Sequence, residues 1–169
     1  MKVPYTNFKT FVADEWKETD TPNLFENKKV VVFAVPGAFT PRASTQQLLG
    51  YEEKHDELMA LGIADVYCVS VNDTFVMDAW FKELNIEKIK PVADGEGVFT
   101  QGMGMLINKP KQGLGMRSWR YAMLVDNGEV VHLLEEPGKN NSNDDDDPLN
   151  VSAVDSMINL IKRSSKKRY

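Results

Sequence analysis

Unbroken apolar runs alternate along this chain with stretches of helical spacing. KKVVVFAV (28–35) is a continuous apolar run behind two lysines, the mark of a strand covered on both faces. DVYCVSV (65–71) has the same character, β-branched and aromatic. IKPVAD (89–94) reads as a shorter strand and contains a proline. RYAMLV (120–125) and EVVHLLEE (129–136) flank Asp126-Asn127-Gly128, and because Asn-Gly takes positive φ cheaply the two are predicted to form a hairpin. Helices fit between these strands. Residues 45–61 bring Leu48, Leu49, Tyr51, Leu58 and Leu61 near one face, although Gly50 weakens the helix. Residues 74–84 space Phe75, Val76, Ala79, Trp80 and Leu84 helically behind Asp73 as a cap, and residues 99–105 read as a short helix. Ser152 with Asp155 opens a last helix in capping-box fashion, its apolar face formed by Val154, Met157, Ile158 and Ile161.

The order β-α-β-α-β-(α)-β-β-α implies right-handed parallel crossovers with a hairpin adding antiparallel strands at one side. The expectation is an α/β fold: a mixed sheet sandwiched by helices, in a thioredoxin-like arrangement. Residues 1–169 are expected to form a single domain, without repeats or linker. The composition, 42% hydrophobic and 27% charged, is that of a soluble globular protein. No apolar run reaches the roughly 18 residues of a membrane span. The start MKVPYTNFKTF lacks a signal-peptide core, so a cytoplasmic protein is expected. A net charge of −5 argues against nucleic acid as a partner, and the basic tail KRSSKKRY (162–169) reads as a frayed, solvated end.

Candidate metal chemistry is sparse. NNSNDDDDP (140–148) lacks the alternating ligands, central glycine and terminal glutamate of a calcium loop, and reads as an exposed, self-repelling loop. Cys68 is the only cysteine, which excludes an intrachain disulfide and any multi-cysteine metal site. His55 and His132 lie far apart in sequence and read as ordinary surface residues. Neither metal nor cofactor is expected.

One segment invites a chemical reading. VPGAFTPRAST (35–45) joins a strand to a helix through a Pro- and Gly-punctuated turn. A helix start offers unpaired N–H groups and a positive dipole end, where a thiol would ionise near neutral pH. The architecture suits a cysteine nucleophile, yet Arg42, Ala43 and Ser44 stand at its tip. PGAFTPRAS resembles the PGAFTPTCS active-site motif of the peroxiredoxins, specifically the type-five subfamily. The resemblance continues through CVSVND, the Trp-bearing helix, DGEGVFTQGMGM, RSWRYAMLV and the final EEPG, VS and DSM segments, over nearly the whole chain.

That resemblance implies a site at Pro36, Thr40, position 43 and Arg120. In the family, the residue matching position 43 is the peroxidatic cysteine, whose thiolate attacks the peroxide O–O bond. The threonine hydroxyl holds the peroxide, the arginine stabilises the thiolate and the developing charge, and the proline shields the sulfur. Here position 43 is Ala43, whose methyl group cannot attack oxygen or become a sulfenic acid. Ser44 is a poor substitute without an aligned base, and Cys68 reads as a core thiol. The subfamily's resolving cysteine, where present, would fall near Val151, so a parent with cysteine at position 43 would be a one-cysteine enzyme. It would reduce hydrogen peroxide or alkyl hydroperoxides and be restored by glutathione, glutaredoxin or thioredoxin.

Two further departures are Arg42, where the family usually has a small residue, and Gln47 with Leu49, which replace a frequent His and Pro. Arg42 either points to solvent or narrows the pocket mouth. Glu52 and Glu53 are candidate supports for Arg120, and Arg117 reads as a surface ion-pair residue. The resemblance also implies a homodimer through loops around the site, with Phe39, Arg42, Trp80 and Leu114 as pocket or interface candidates. The expected function is a peroxiredoxin disabled at Ala43, whether as an engineered variant or a natural pseudo-enzyme. The alternative is a non-catalytic binding or scaffold protein that pairs with itself or with an active paralogue. A different enzyme reusing Arg120 as an anion holder finds no supporting base or metal site.

Overall fold

In the structure, a computed structural model describing residues 1–142 and 147–166, the chain opens with strands β1 (Asn7–Val12) and β2 (Glu15–Asp20) and the short helix α1 (Thr21–Phe25). Next come β3 (Lys29–Ala34) and a wide helical turn, Ala43–Gln47, that runs into α2 (Leu48–Glu53) and α3 (His55–Ala60). β4 (Asp65–Ser70), α4 (Thr74–Glu83), β5 (Lys90–Ala93) and α5 (Val98–Gly102) complete the parallel part. A small hairpin, β6 (Leu106–Lys109) and β7 (Gly115–Ser118), precedes β8 (Tyr121–Asp126), β9 (Glu129–Glu135) and α6 (Val154–Lys166).

The central sheet has the order β5-β4-β3-β8-β9. β3 runs parallel to β4 and antiparallel to β8, so it lies in the middle. Its central place explains its composition. Val31 and Phe33 face one layer with Leu48, Tyr51, Trp80, Met157 and Ile161, while Val30, Val32 and Ala34 face another with Phe8, Phe25, Phe99 and Trp119. A strand buried on both sides has no use for polar alternation. The predicted mixed sheet between helices is present, and so are all five strands expected in it.

Several expectations are corrected. The helix predicted over 45–61 is interrupted at Lys54 (φ −96°, ψ 9°), and its first turn is wide rather than α-helical. Just before the break, the Glu52 carboxylate accepts hydrogen bonds from the Glu87, Lys88 and Ile89 amides across the layer. Glu52 is thus committed to the α4–β5 connection. The basic tail is not frayed through Lys166, because α6 extends that far, and residues 167–169 lie outside the described residues. The acidic loop predicted over 140–148 falls partly outside them too, at 143–146. Ser152 forms no capping box, since its hydroxyl donates to Glu136 instead. His55 is half-buried, as is His132, which meets the Ser164 hydroxyl at 3.1 Å.

Where β3 and β4 begin, Asp65 receives Lys28 Nζ at 2.9 Å and Lys90 Nζ at 2.7 Å. Partial burial pushes the Asp65 pKa upward, but the two lysines outweigh it and hold the carboxyl below its usual range. A depressed folded-state pKa means that the stabilisation is present above the unfolded pKa and is lost as pH falls through the folded value. Asp65→Asn is therefore expected to lower stability by about 1 kcal/mol at neutral pH. In urea titrations the gap to the parent should close in acid; a gap independent of pH would show that the lysine contacts contribute nothing.

Candidate active site

The loop after β3 is held from both sides. Val35 N–H donates to the Val69 carbonyl at 3.1 Å, extending the parallel pairing by one rung, and Pro36 is buried behind it. Ala38 N–H donates to Asn72 Oδ1 at 3.0 Å, the same oxygen that accepts from Ser70 Oγ at 2.5 Å. Gly37 lets the loop and Arg117 pack closely: a Cβ there would lie 2.8 Å from an Arg117 guanidinium nitrogen and 3.1 Å from Thr40 Cγ2, so the arginine end would have to shift. Phe39 takes the left-handed conformation (φ 65°), which costs a residue with a side chain about 1 kcal/mol, and presents its ring to solvent, 52% exposed.

Thr40 starts the helix. Its carbonyl accepts from Ser44 N–H at 3.0 Å, and Pro41 follows in the first turn, where no N–H is needed. The Thr40 hydroxyl donates to the Gly37 carbonyl at 2.7 Å, and no hydrogen bond joins it to Arg120. Leu48 N–H then reaches back five residues to the Ala43 carbonyl, closing a π-type turn, a form found often at functional sites. Ala43 and Gln47 bound this turn and both face inward, Ala43 with no exposed surface and Gln47 at 1%. Ser44 Oγ accepts from Trp80 Nε1 at 2.8 Å.

Arg120 comes from the opposite direction, one residue before β8, and is 3% exposed. Its Nη1 donates to Gln47 Oε1 and its Nη2 to Asp147 Oδ1, the latter at 2.5 Å. Arg42 Nη1 meets the Asp147 main-chain carbonyl at 2.5 Å. One aspartate thus receives two arginines, through its carboxylate and its backbone. Arg120 Nε and Gln47 Nε2 are buried without a partner among the described residues, at a cost of about 1–3 kcal/mol each.

Just beyond the half-buried Asp147, a buried acid fastens the chain. Glu136, fully buried at the end of β9, accepts from the Asn150, Val151 and Ser152 amides at 3.0, 3.4 and 2.8 Å and from Ser152 Oγ at 2.6 Å. The Ser152 carbonyl accepts from Tyr51 OH at 2.8 Å, and Tyr51 stacks on Phe33 with ring centres 4.1 Å apart. Burial, with the Glu136 charge adding to it, pushes the Tyr51 phenol far above its usual pKa, so it stays a donor. The loop holding Asp147 is therefore fastened to α2 and the central strand.

Pro36, Thr40, Ala43 and Arg120, the residues singled out by the motif, share this corner of the fold, with Gln47 as the link between helix and arginine. Arg42 faces neither solvent alone nor an open mouth, because it grips the Asp147 carbonyl. Leu114 is half-buried, and its carbonyl accepts from Arg117 Nε at 3.0 Å. Arg117 has no ion-pair partner among the described residues; it packs on Gly37, and burial lowers its pKa. Trp80 has no exposed surface and belongs to the core beneath Ser44, so it is no interface residue of this chain's surface. Glu52 and Glu53 do not support Arg120; Gln47 and Asp147 do. Cys68 lies within β4, where burial pushes its thiol well above the ordinary value and the Arg120 charge offsets only part of that.

The Redoxin family profile matches residues 1–151. Hybrid peroxiredoxin hyPrx5 of Haemophilus influenzae is 46% identical over 160 residues, which span 95% of this chain and 64% of that protein. The chain belongs to the peroxiredoxins. Among solved structures it is similar to the reduced Prx3 of Vibrio vulnificus in complex with H2O2, at 36% identity and a TM-score of 0.87, covering 98% of this chain and 96% of that one. It is similar as well to the Plasmodium falciparum antioxidant protein, a 1-Cys peroxiredoxin, at 35% identity and a TM-score of 0.91, covering 96% and 97%. The thioredoxin-like expectation is met by this peroxiredoxin fold.

Glu136 is the residue whose loss this geometry makes most costly. Glu136→Ala leaves the Asn150, Val151 and Ser152 amides without this acceptor, the last of them buried, and is expected to destabilise the chain by on the order of 2 kcal/mol. Hydrogen exchange should quicken at Asn150 to Ser152 while β3 stays protected. Unchanged exchange at those amides would remove Glu136 from its fastening role.

Proposed function

We propose that this peroxiredoxin is disabled as a peroxidase at Ala43, where the family carries its peroxidatic cysteine. The observation that carries the reading is the Ala43 methyl, fully buried on the turn whose other end, Gln47, is bound to Arg120. A thiolate at that place would attack a hydroperoxide, forming the S–O bond as the O–O bond breaks and the alkoxide or hydroxide leaves. Arg120 would hold the negative charge during that displacement. The methyl group has no lone pair and no ionisable proton, so the displacement has no nucleophile. Cys68 cannot replace it, because its thiol stays protonated inside the sheet.

The parent activity is reduction of hydrogen peroxide or an alkyl hydroperoxide, with glutathione, glutaredoxin or thioredoxin restoring the thiol. A cytoplasmic homodimer is the assembly we infer, with exposed Phe39 and half-buried Leu114 on the paired surface. A second reading, a non-catalytic scaffold that pairs with itself or an active paralogue, is favoured by Asp147. Its carboxylate already occupies Arg120, which gives the arginine a structural reason to be present.

As written, the chain should consume peroxide no faster than a buffer blank when coupled to any of the three reductants. Ala43→Cys should restore measurable turnover, and adding Asp147→Ala should raise it further, because the aspartate competes with the thiolate for Arg120. If both variants fold and stay silent, the scaffold reading displaces the disabled-peroxidase reading. Turnover by the unaltered chain would instead place a nucleophile elsewhere, with Cys68→Ser the direct check.

A further inference from the structure

A cleft of about 550 Å³ opens between the β1–β2 hairpin and the starts of α4 and α5, and none of its lining residues belongs to the Arg120 site. That volume is in the range of sites that take a small molecule or a few side chains. Buried Thr6, Phe8 and Asp94 line it from within, while Tyr5 and Trp16 remain exposed, at 69% and 63%. Trp16 is held in place: its ring meets Phe11 at 5.1 Å and Phe75 at 5.7 Å, both edge-on. The charge is one-sided. Glu18, Asp73, Asp94 and Glu96 line the cleft against a single cation, Lys9. Two of these acids are committed, Asp73 to the Val76 amide at the start of α4 and Asp94 to the Phe99 and Thr100 amides and Thr100 Oγ1. Among the described residues Glu18 accepts from Asn7 Nδ2 at 3.1 Å, and Glu96 has no hydrogen bond or ion pair.

The hairpin also offers an edge. Among the described residues β2 pairs only with β1, which leaves its outer side open to an extended chain. Trp16 and Glu18 lie two residues apart on β2 and so share a face, with Phe11 and Lys9 opposite them on β1. We propose that this edge and cleft bind an extended segment of a partner protein through one arginine side chain, whose guanidinium enters beside Trp16, Glu18 and Glu96. A strand added to β2 sets side chains next to Trp16 and Glu18 on that face, where an opposite charge is favoured. A guanidinium suits these walls better than an ammonium, because it is planar, weakly hydrated and able to stack on an aromatic ring while bonding a carboxylate. Lys9, directly opposite Glu18, is the competitor within the chain. This partner site does not depend on whether residue 43 carries a thiol.

The test follows the tryptophan indole N–H signals of the intact chain by NMR. Trp80 and Trp119 are buried, so the signal that disappears in Trp16→Phe reports the cleft. Titration with the capped tripeptide acetyl-Val-Arg-Val-amide is expected to shift that signal saturably and to leave the other two in place. The same peptide with citrulline, which keeps the shape and loses the charge, should leave it unmoved. Propylguanidinium, the free cation, should bind at least about tenfold more weakly than the peptide, because it lacks the main-chain hydrogen bonds. Glu18→Gln with Glu96→Gln should weaken the peptide about fivefold. Lys9→Met should tighten it about threefold, a gain that damage to the fold cannot produce. No shift at Trp16, an equal response to the citrulline peptide, or unchanged affinity in both variants overturns the proposal. Propylguanidinium binding as tightly as the peptide assigns the cleft to a free cation and rejects the partner segment.

Discussion

The guanidinium of Arg120, buried and divided between Gln47 and Asp147, is the interaction on which this site depends. A charge at 3% exposure is tolerable only when its partners are fixed, and each partner here is fixed by a different part of the fold. Gln47 is set by the wide turn after β3. Asp147 is set by the loop that Glu136 gathers with three amides and a hydroxyl. The arginine therefore ties the start of α2 to the segment before α6, across the end of the central sheet. The fold brings these pieces together because β3, buried on both faces, delivers the loop from its C-terminal end while β8 runs back alongside it.

Within this frame a cysteine would become a strong nucleophile, and an alanine becomes a packing residue. Ala43 lies in the same apolar cluster as Phe33, Cys68 and Trp80. The polar fittings around it nevertheless persist: the bound Thr40 hydroxyl, the Asn72 anchor, Arg120 and the strained Phe39. Arg42 and Asp147 add a closure of their own, because together they place a carboxylate on the charge that a thiolate would use. On the proposed reading, the site is kept in shape while its thiol chemistry is absent.

Much of this was legible before any coordinates. The apolar run in β3, the matching run in β4 and the Asn127-Gly128 hairpin specify the central sheet because burial on both faces leaves no other composition. The β1–β2 hairpin was not legible: β2 is polar and exposed, and its turn uses Ala13 and Asp14 at positive φ, without the glycine that usually signals such a turn. The β6–β7 hairpin has glycines at its turn, Gly113 and Gly115, but its strands are only four residues long and too short to show a periodic pattern. In the site, the motif pointed to Pro36, Thr40, Ala43 and Arg120. It could not place Asp147, one of four consecutive aspartates with the same local pattern, nor show that Glu136 faces inward at the end of a half-exposed strand. Gln47 alone left a trace, a polar residue four positions beyond Ala43 on the same helical face.

The central claim is that the turn and Arg120 still form a preorganised holder for a thiolate. The most direct measurement is the thiol pKa of the Ala43→Cys chain, read by ultraviolet titration of the thiolate and by the pH dependence of alkylation, with Cys68→Ser as background. The account predicts a value clearly below the ordinary cysteine pKa of about 8.5, moving lower still when Asp147 is also replaced by alanine. A value at or above the ordinary one, indifferent to Asp147, would contradict it.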